Sequence, residues 1–259
     1  MHDRVFAGQE RPYPMRRLTS LFGIQQPAVA HQLKRSFLTS ALRPLTILKE
    51  PPVLLSVVYY FLNFAWVISV NTTVSIWLSE FYGFMPRNIG FFSFFGVIGV
   101  TIGWLVGHWM HDAVGLWYAK RHDGRIEPEA RLIITYPATI IMTLSLIVLG
   151  FAIQNLWHYM VLAVFAAVQC GGIMITTTAV NAYLLDSYPD RAGEVSAWVS
   201  NGRIFGGFMA TYIQIPWVEQ HGAAVALGIQ AAITGSSAMI IAFIQWQGAA
   251  MRQQSKIVA

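Results

Sequence analysis

Cysteine is almost missing from this 259-residue chain: Cys170 stands alone. One thiol forms neither an intrachain disulfide framework nor a cysteine-built metal site. Charge is scarce as well, with Asp, Glu, Lys and Arg at 11% of residues, against about 25% in soluble domains. A chain so poor in charge and 55% hydrophobic reads as an all-α polytopic membrane protein, with the lipid bilayer as its first partner. No GxSxG elbow and no GxxxxGK(S/T) phosphate loop occurs, which removes the commonest hydrolase and nucleotide-binding signatures. The formal net charge of +5 comes without the aromatic interleaving of a single-strand binder, so no nucleic-acid partner is expected.

Histidines do not gather into a metal centre. His108, His111 and Asp112 form HWMHD, residue types that hold iron or zinc, yet His2, His31, His122, His158 and His221 lack histidine neighbours at ligand spacing. No metal, no cofactor and no enzyme activity is therefore expected, and a membrane metalloenzyme rests on HWMHD alone. Carboxylates are missing from the interior of every apolar run: Glu80, Asp112, Asp186 and Glu219 all sit near run ends. A mid-membrane proton carrier is accordingly expected outside this chain.

What the chain does have is charge in islands. Asp112 to Arg131, DAVGLWYAKRHDGRIEPEAR, carries Lys120, Arg121, Arg125 and Arg131 between two apolar runs and reads as a loop, held on the cytoplasmic side by its basic residues. The segment 1–50 is basic too, with Arg4, Arg11, Arg16, Arg17, Lys34, Arg35, Arg43 and Lys49. Its first thirty residues are expected to be disordered. Residues 33–48 follow a helical pattern suited to the inner leaflet, interrupted at Pro44. No signal peptide opens the chain, so the amino terminus is expected in the cytoplasm.

Six membrane spans follow, within a transmembrane domain of residues 51–248. Val53 to Leu78 runs uncharged, long enough to cross a core of ~30 Å. Ile89 to Met110 returns. Leu132 to Leu185 contains no formal charge and would be about 80 Å long as one helix, so it folds back near Gln154, Asn155 and His158. The third span then ends near Ile153 and the fourth runs from Tyr159 to Leu185. After the island DSYPDRAGE, the fifth spans Val195 to Trp217, closed by Pro216, and the sixth Ala223 to Trp246; residues 249–259 form a cytoplasmic tail. With both termini inside, fifteen basic residues fall on the cytoplasmic side and only Arg87 outside.

Within the spans, Gly99, Gly103 and Gly107 form a four-residue ladder that lets another helix approach closely. Ser56, Tyr59, Asn63, Trp66 and Val70 or Asn71 follow one face of the first span, and Gln169, Thr176 and Asn181 lie in the fourth. Such side chains face either other helices or a wet cavity. Arg203 falls about 15 Å into the fifth span, near the midplane. It either serves binding or a lock within the bundle interior, or snorkels toward Glu194 or Asp186 as an anchor. Ser196, Ser200, Arg203, Gly207 and Ala210 are expected to share its face.

The stretches YYFLNFAW, VNTT and IWL, then YAKRHDGRIEPEARL, AYLLDSYPDRAGE and IPWVEQHG, carry a resemblance. In this order and spacing the chain resembles, over about Arg43 to Gln247, the carboxy-terminal half of a fungal major facilitator superfamily transporter of the drug:proton antiporter-like or general substrate transporter group. The resemblance implies that the six spans match helices seven to twelve and residues 1–50 the link between halves. It implies that the first and fourth spans line a solute cavity, with Asn63, Trp66, Asn71, Gln169 and Asn181 contacting a small-molecule substrate and Arg203 joining them. A degenerate cytoplasmic gate would comprise Gly107, Asp112, Arg121 and Arg125. The implied function is transport of a small solute across the plasma membrane, with the amino-terminal six-helix half missing and supplied in cis or trans, and with the chain inactive alone. The alternatives are a non-transporting membrane partner protein or a fragment of a longer gene.

Overall fold

The computed structural model describes residues 44–121 and 127–258. The expected disordered start, most of the 33–48 helix and Arg125 lie outside these residues. A compact unit begins at Pro44. Residues 44–47, at the end of the expected 33–48 pattern, are helical, Pro44 included. The Trp198 indole donates to its carbonyl at 2.7 Å, and Ile47 is fully buried.

Long α-helices account for nearly all of the rest: α1 (Pro51–Tyr82), α2 (Pro86–Arg121), α3 (Thr135–Gln154), α4 (Tyr159–Ser187), α5 (Ala192–His221) and α6 (Ala223–Val258). Two 3-10 segments, Pro128–Ile134 and Pro189–Arg191, lead into α3 and α5. No strand occurs among the described residues, so the protein is an all-α membrane protein. Punctuation is local. Gly83, at φ 65°, ends α1 by returning its N–H to the Leu78 carbonyl, a left-handed stop that glycine adopts without strain. His158 caps α4, its ring nitrogen accepting from the Met160 amide at 3.3 Å.

Five of these segments are long and apolar enough to cross a membrane: Pro51–Tyr82, Pro86–Arg121, Pro128–Gln154, Tyr159–Ser187 and Ala223–Gly248. Helix α5 has 30 residues, about 45 Å, but Asn201 and Arg203 at its middle lower its apolar character. Three expectations about helix ends are corrected. Most of the charged island is helix, because α2 continues to Arg121 through good helix formers, with Lys120 and Arg121 in a last turn where cations suit the helix dipole. Pro216 does not close α5, which runs on to His221 and stops at Gly222, φ 81°. Helix α6 continues well past Trp246 into the expected tail, to Val258.

The helices form a front row in the order α5, α1, α4, α2, backed by α6 and α3. Exchanging α1, α2 and α3 for α4, α5 and α6 preserves the neighbours: the α1–α5 pair becomes α4–α2, α1–α6 becomes α4–α3, and α1–α4 and α3–α6 map onto themselves. The unit is thus two three-helix copies related by a pseudo-twofold. Glycines make both lateral seams. A Cβ on Gly99 or Gly103 of α2 would collide with the backbone of Ala167 or Gly171 in α4, and one on Gly206 of α5 with the backbone of Phe61 in α1. Gly202 is nearly as tight, 2.9 Å from Val57 Cγ1. Such backbone approach maximises dispersion between helices where lipid supplies no hydrophobic drive.

Candidate functional site

The front row turns one face away from the α6–α3 backing, and α5 and α1 place a cation there. Arg203 is half-buried, with its guanidinium carbon 4.1 Å from the centroid of the Phe64 ring. A cation over an aromatic face gains about 0.5–2 kcal/mol, more as water is excluded. Phe64 leans on Tyr60 at 5.7 Å between centroids, four residues earlier on the same face of α1. Tyr60 crosses to α4, donating to the Thr177 carbonyl at 3.1 Å and to Asn181 Oδ1 at 3.3 Å. One connected group therefore joins α5, α1 and α4: Arg203, Phe64, Tyr60, Asn181. Helical spacing brings them together, since Tyr60 and Phe64 are one turn apart on α1 while Thr177 and Asn181 are one turn apart on α4.

Arg203 does not snorkel to an acid. Among the described residues its guanidinium has no ion pair, and the hydrogen bonds found there leave its N–H groups without an acceptor. The face that α5 buries is Val195, Val199, Gly202, Gly206, Gly207, Ala210 and Gln214, which keeps Gly207 and Ala210 of the expected face but not Ser196, Ser200 and Arg203. The reason is the seam: the glycines that must meet α1 are Gly202 and Gly206, so Arg203 falls at the seam's edge and Ser196 and Ser200 are exposed.

Nearer the outer ends, Asn71 is exposed on α1, donating to the Val67 carbonyl at 2.7 Å and to Cys170 Sγ of α4 at 3.3 Å. The other three expected contacts lie elsewhere. Asn63 is fully buried, its amide donating to the Tyr59 carbonyl at 2.8 Å and to Ser237 Oγ of α6 at 2.9 Å. Trp66 packs edge-on against Trp217 of α5, ring centroids 6.2 Å apart. Gln169 is fully buried, and neither its oxygen nor its nitrogen has a partner among the described residues. The α1 face running through Ser56, Tyr59 and Asn63 thus points at the backing helices, where Tyr59 meets Thr139 of α3 at 3.4 Å. Arg203, Asn181 and Asn71 are the expected residues on or beside the open face.

Toward the Arg121 end of α2, Gly107 packs against Ile175 of α4, where an added Cβ would sit 3.3 Å from its Cα. Asp112 is exposed, 3.8 Å from His108 one turn earlier, and the Arg121 guanidinium lies over Trp117 at 4.3 Å. Asp112 and Arg121 form no ion pair with each other among the described residues. The link that does cross the inner ends is Arg131 to Asp186, 2.6 Å, between the segment before α3 and the end of α4. Arg131 also donates toward His111 Nε2 at 3.3 Å, which divides the HWMHD residues between two partners. Sequence reasoning missed this pair, though both residues stood in the two charged islands, and it missed Tyr60 and Phe64, which sit beside the face it had chosen.

The family follows from comparison. A sequence model described as Major Facilitator Superfamily matches residues 16–211. The chain belongs to the major facilitator superfamily. Its curated relatives in the superfamily are fungal transporters. An uncharacterized MFS-type transporter of Schizosaccharomyces pombe is 26% identical over 73% of this chain and 32% of its own length. The MFS-type transporter penM of Penicillium rubens is 27% identical over 63% of this chain and 32% of its own. The MFS antiporter QDR3 of Candida albicans is 24% identical over 84% of this chain and 31% of its own. The chain spans about a third of the length of these relatives. Membership supports a multi-pass place in the lipid bilayer.

Proposed function

We propose that this chain is the carboxy-terminal six-helix half of a secondary transporter for a small solute, and that its open front face is one wall of the solute path. The observation that carries this reading is the group Arg203, Phe64, Tyr60 and Asn181 on the unbacked side of α5, α1 and α4. Placing an arginine near mid-bilayer costs on the order of 2.5–3.5 kcal/mol on the insertion scale, a cost that structure alone gives no reason to carry. In this reading α5 crosses the membrane as well, as the fifth of six spans, its Arg203 facing the path rather than lipid. Arg203, Asn181 and Asn71 are the solute contacts, while Asn63, Trp66 and Gln169 stand behind the wall and hold its shape. Gly107, Asp112, Arg121 and Arg125 belong to the inner gate.

In this superfamily's architecture two six-helix bundles rock about a site between them. The opposing wall is then an amino-terminal half, in cis or trans. Reconstituted alone in liposomes, the chain is expected to show no saturable uptake, and co-expression with the amino-terminal half of a fungal relative is expected to restore it. Saturable, Asn181-dependent uptake by the isolated monomer would overturn the half-transporter reading.

The same reading puts both termini in the cytoplasm of a plasma-membrane protein, supported by fifteen basic residues inside against Arg87 outside. In a Cys170→Ser background, an impermeant thiol reagent applied to intact cells is expected to label Gln220→Cys and to leave Arg121→Cys unlabelled. The reverse pattern would invert the topology.

A further inference from the structure

We infer that the solute held at Arg203 is an organic anion, its carboxylate or other oxyanion group seated on the guanidinium. The inference rests on the reading of the front face as a solute path and adds the chemistry of what travels along it. Four observations carry it. First, Arg203 spends one side of its cation on the Phe64 ring at 4.1 Å, a contact that holds the side chain in place without consuming its N–H donors. Second, those donors find no acceptor and no carboxylate among the described residues. Arginine presents five N–H donors in a planar fork that matches a carboxylate two at a time, so a half-buried guanidinium without acceptors is an incomplete ion pair.

Third, the rest of the wall is neutral. Its polar neighbours are the amides of Asn181 and Asn71, with Tyr60 fully buried behind them, and the acids of the flanking helices, Glu80, Asp186, Glu194 and Glu219, lie at helix ends. Asp186 is moreover engaged with Arg131 at 2.6 Å. An uncompensated positive charge between low-dielectric helices attracts anions and repels cations. Fourth, Arg203 sits at the edge of the Gly202–Gly206 seam that fixes α5 against α1, so the cation keeps its place beside Phe64. The missing group is a negative charge brought from elsewhere, and a solute brings it without requiring any change in the wall.

The test uses the purified full chain in nanodiscs and radiolabelled benzoate, with phenyl phosphate, benzylamine and benzyl alcohol as competitors. Benzoate is expected to bind saturably, with competition from phenyl phosphate and none from benzylamine or benzyl alcohol at the same concentration. Stronger competition by phenyl phosphate than by unlabelled benzoate assigns the site to phosphoryl rather than carboxylate solutes, within the same anion class. Arg203→Gln is expected to weaken binding about tenfold or more, and Arg203→Lys to retain part of it because charge remains while the planar fork is lost. Helical content and a monodisperse elution profile establish that each variant is folded.

Binding that survives Arg203→Gln, equal competition by benzylamine, or no binding of either anion by the folded chain overturns the inference. If anion binding is absent and Arg203→Gln releases a co-purifying membrane protein, the acceptor is that partner's carboxylate and not a solute. Uptake of a cation by the reassembled transporter would likewise overturn the anion assignment while leaving the transporter reading intact, so the two failures are distinguishable.

Discussion

Gly99→Ala is expected to destabilise the protein by about 1–3 kcal/mol, while Gly115→Ala, sixteen residues further along the same helix, is expected to stabilise it by about 0.5–1 kcal/mol. One methyl group is added in each case. At Gly99 it has no room, because the Ala167 backbone of α4 occupies the place where the Cβ must go. Backbone cannot rotate away as a side chain can, so α2 and α4 must separate and lose dispersion along the seam. At Gly115 nothing lies within 4 Å of the added atom, and what remains is the helix propensity that alanine gains over glycine. Reversible unfolding in mixed micelles measures both. Two stabilisations of similar size would mean that the seam is looser than the structure has it. Gly206→Ala is the matching test on the α5–α1 side, with the Phe61 backbone as the obstacle.

The second large effect is expected at the inner ends. Arg131→Glu places a carboxylate against Asp186, where the native pair is 2.6 Å apart, and should cost about 1–4 kcal/mol as the local dielectric falls from water-like toward that of a protein surface. The two side chains are 28% and 42% exposed, so solvent screening keeps simple neutralisation, Arg131→Gln, to about 1 kcal/mol or less. The double reversal Arg131→Glu with Asp186→Arg should recover most of the loss, short of the part due to His111, which loses its guanidinium neighbour. Thermal unfolding of the four proteins closes the cycle. An additive double variant, with no recovery, would show that the pair does not hold α4 to the segment before α3.

Much of this architecture was legible in the residues. The apolar runs located every helix, and the starts at Tyr159 and Ala223 agree to the residue because a polar turn precedes the first and Gly222 the second. The glycine ladder in α2 announced a close approach, though not its target. What stayed hidden was azimuth. Lipid tails and helix interiors are equally apolar, so hydrophobicity reports that a helix is in the membrane without saying which side faces protein. Hence Asn63, chosen as a cavity contact, lies against Ser237 of α6. Arg203 drew notice as a charge within an apolar run, but Ser196 and Ser200 of its expected face are exposed, because the glycines that dictate α5's orientation do so through α1, far away in sequence. Helix ends beyond the bilayer were hidden for another reason: α2 and α6 continue through charged residues, since a water-exposed helix needs propensity and not apolarity.

The pseudo-twofold has a consequence in parity. A unit of three membrane helices finishes on the side of the bilayer opposite to where it begins, so a tandem copy must be threaded upside down relative to the first. With the six spans proposed above, the axis relating α1–α3 to α4–α6 would lie in the plane of the membrane, and the two glycine seams would run in opposite directions across it. What one leaflet does to one seam, through lipid charge, thickness or lateral pressure, the other leaflet would do to its counterpart. A bilayer with unlike leaflets would then strain the two copies unequally, although their helices pair in a similar pattern.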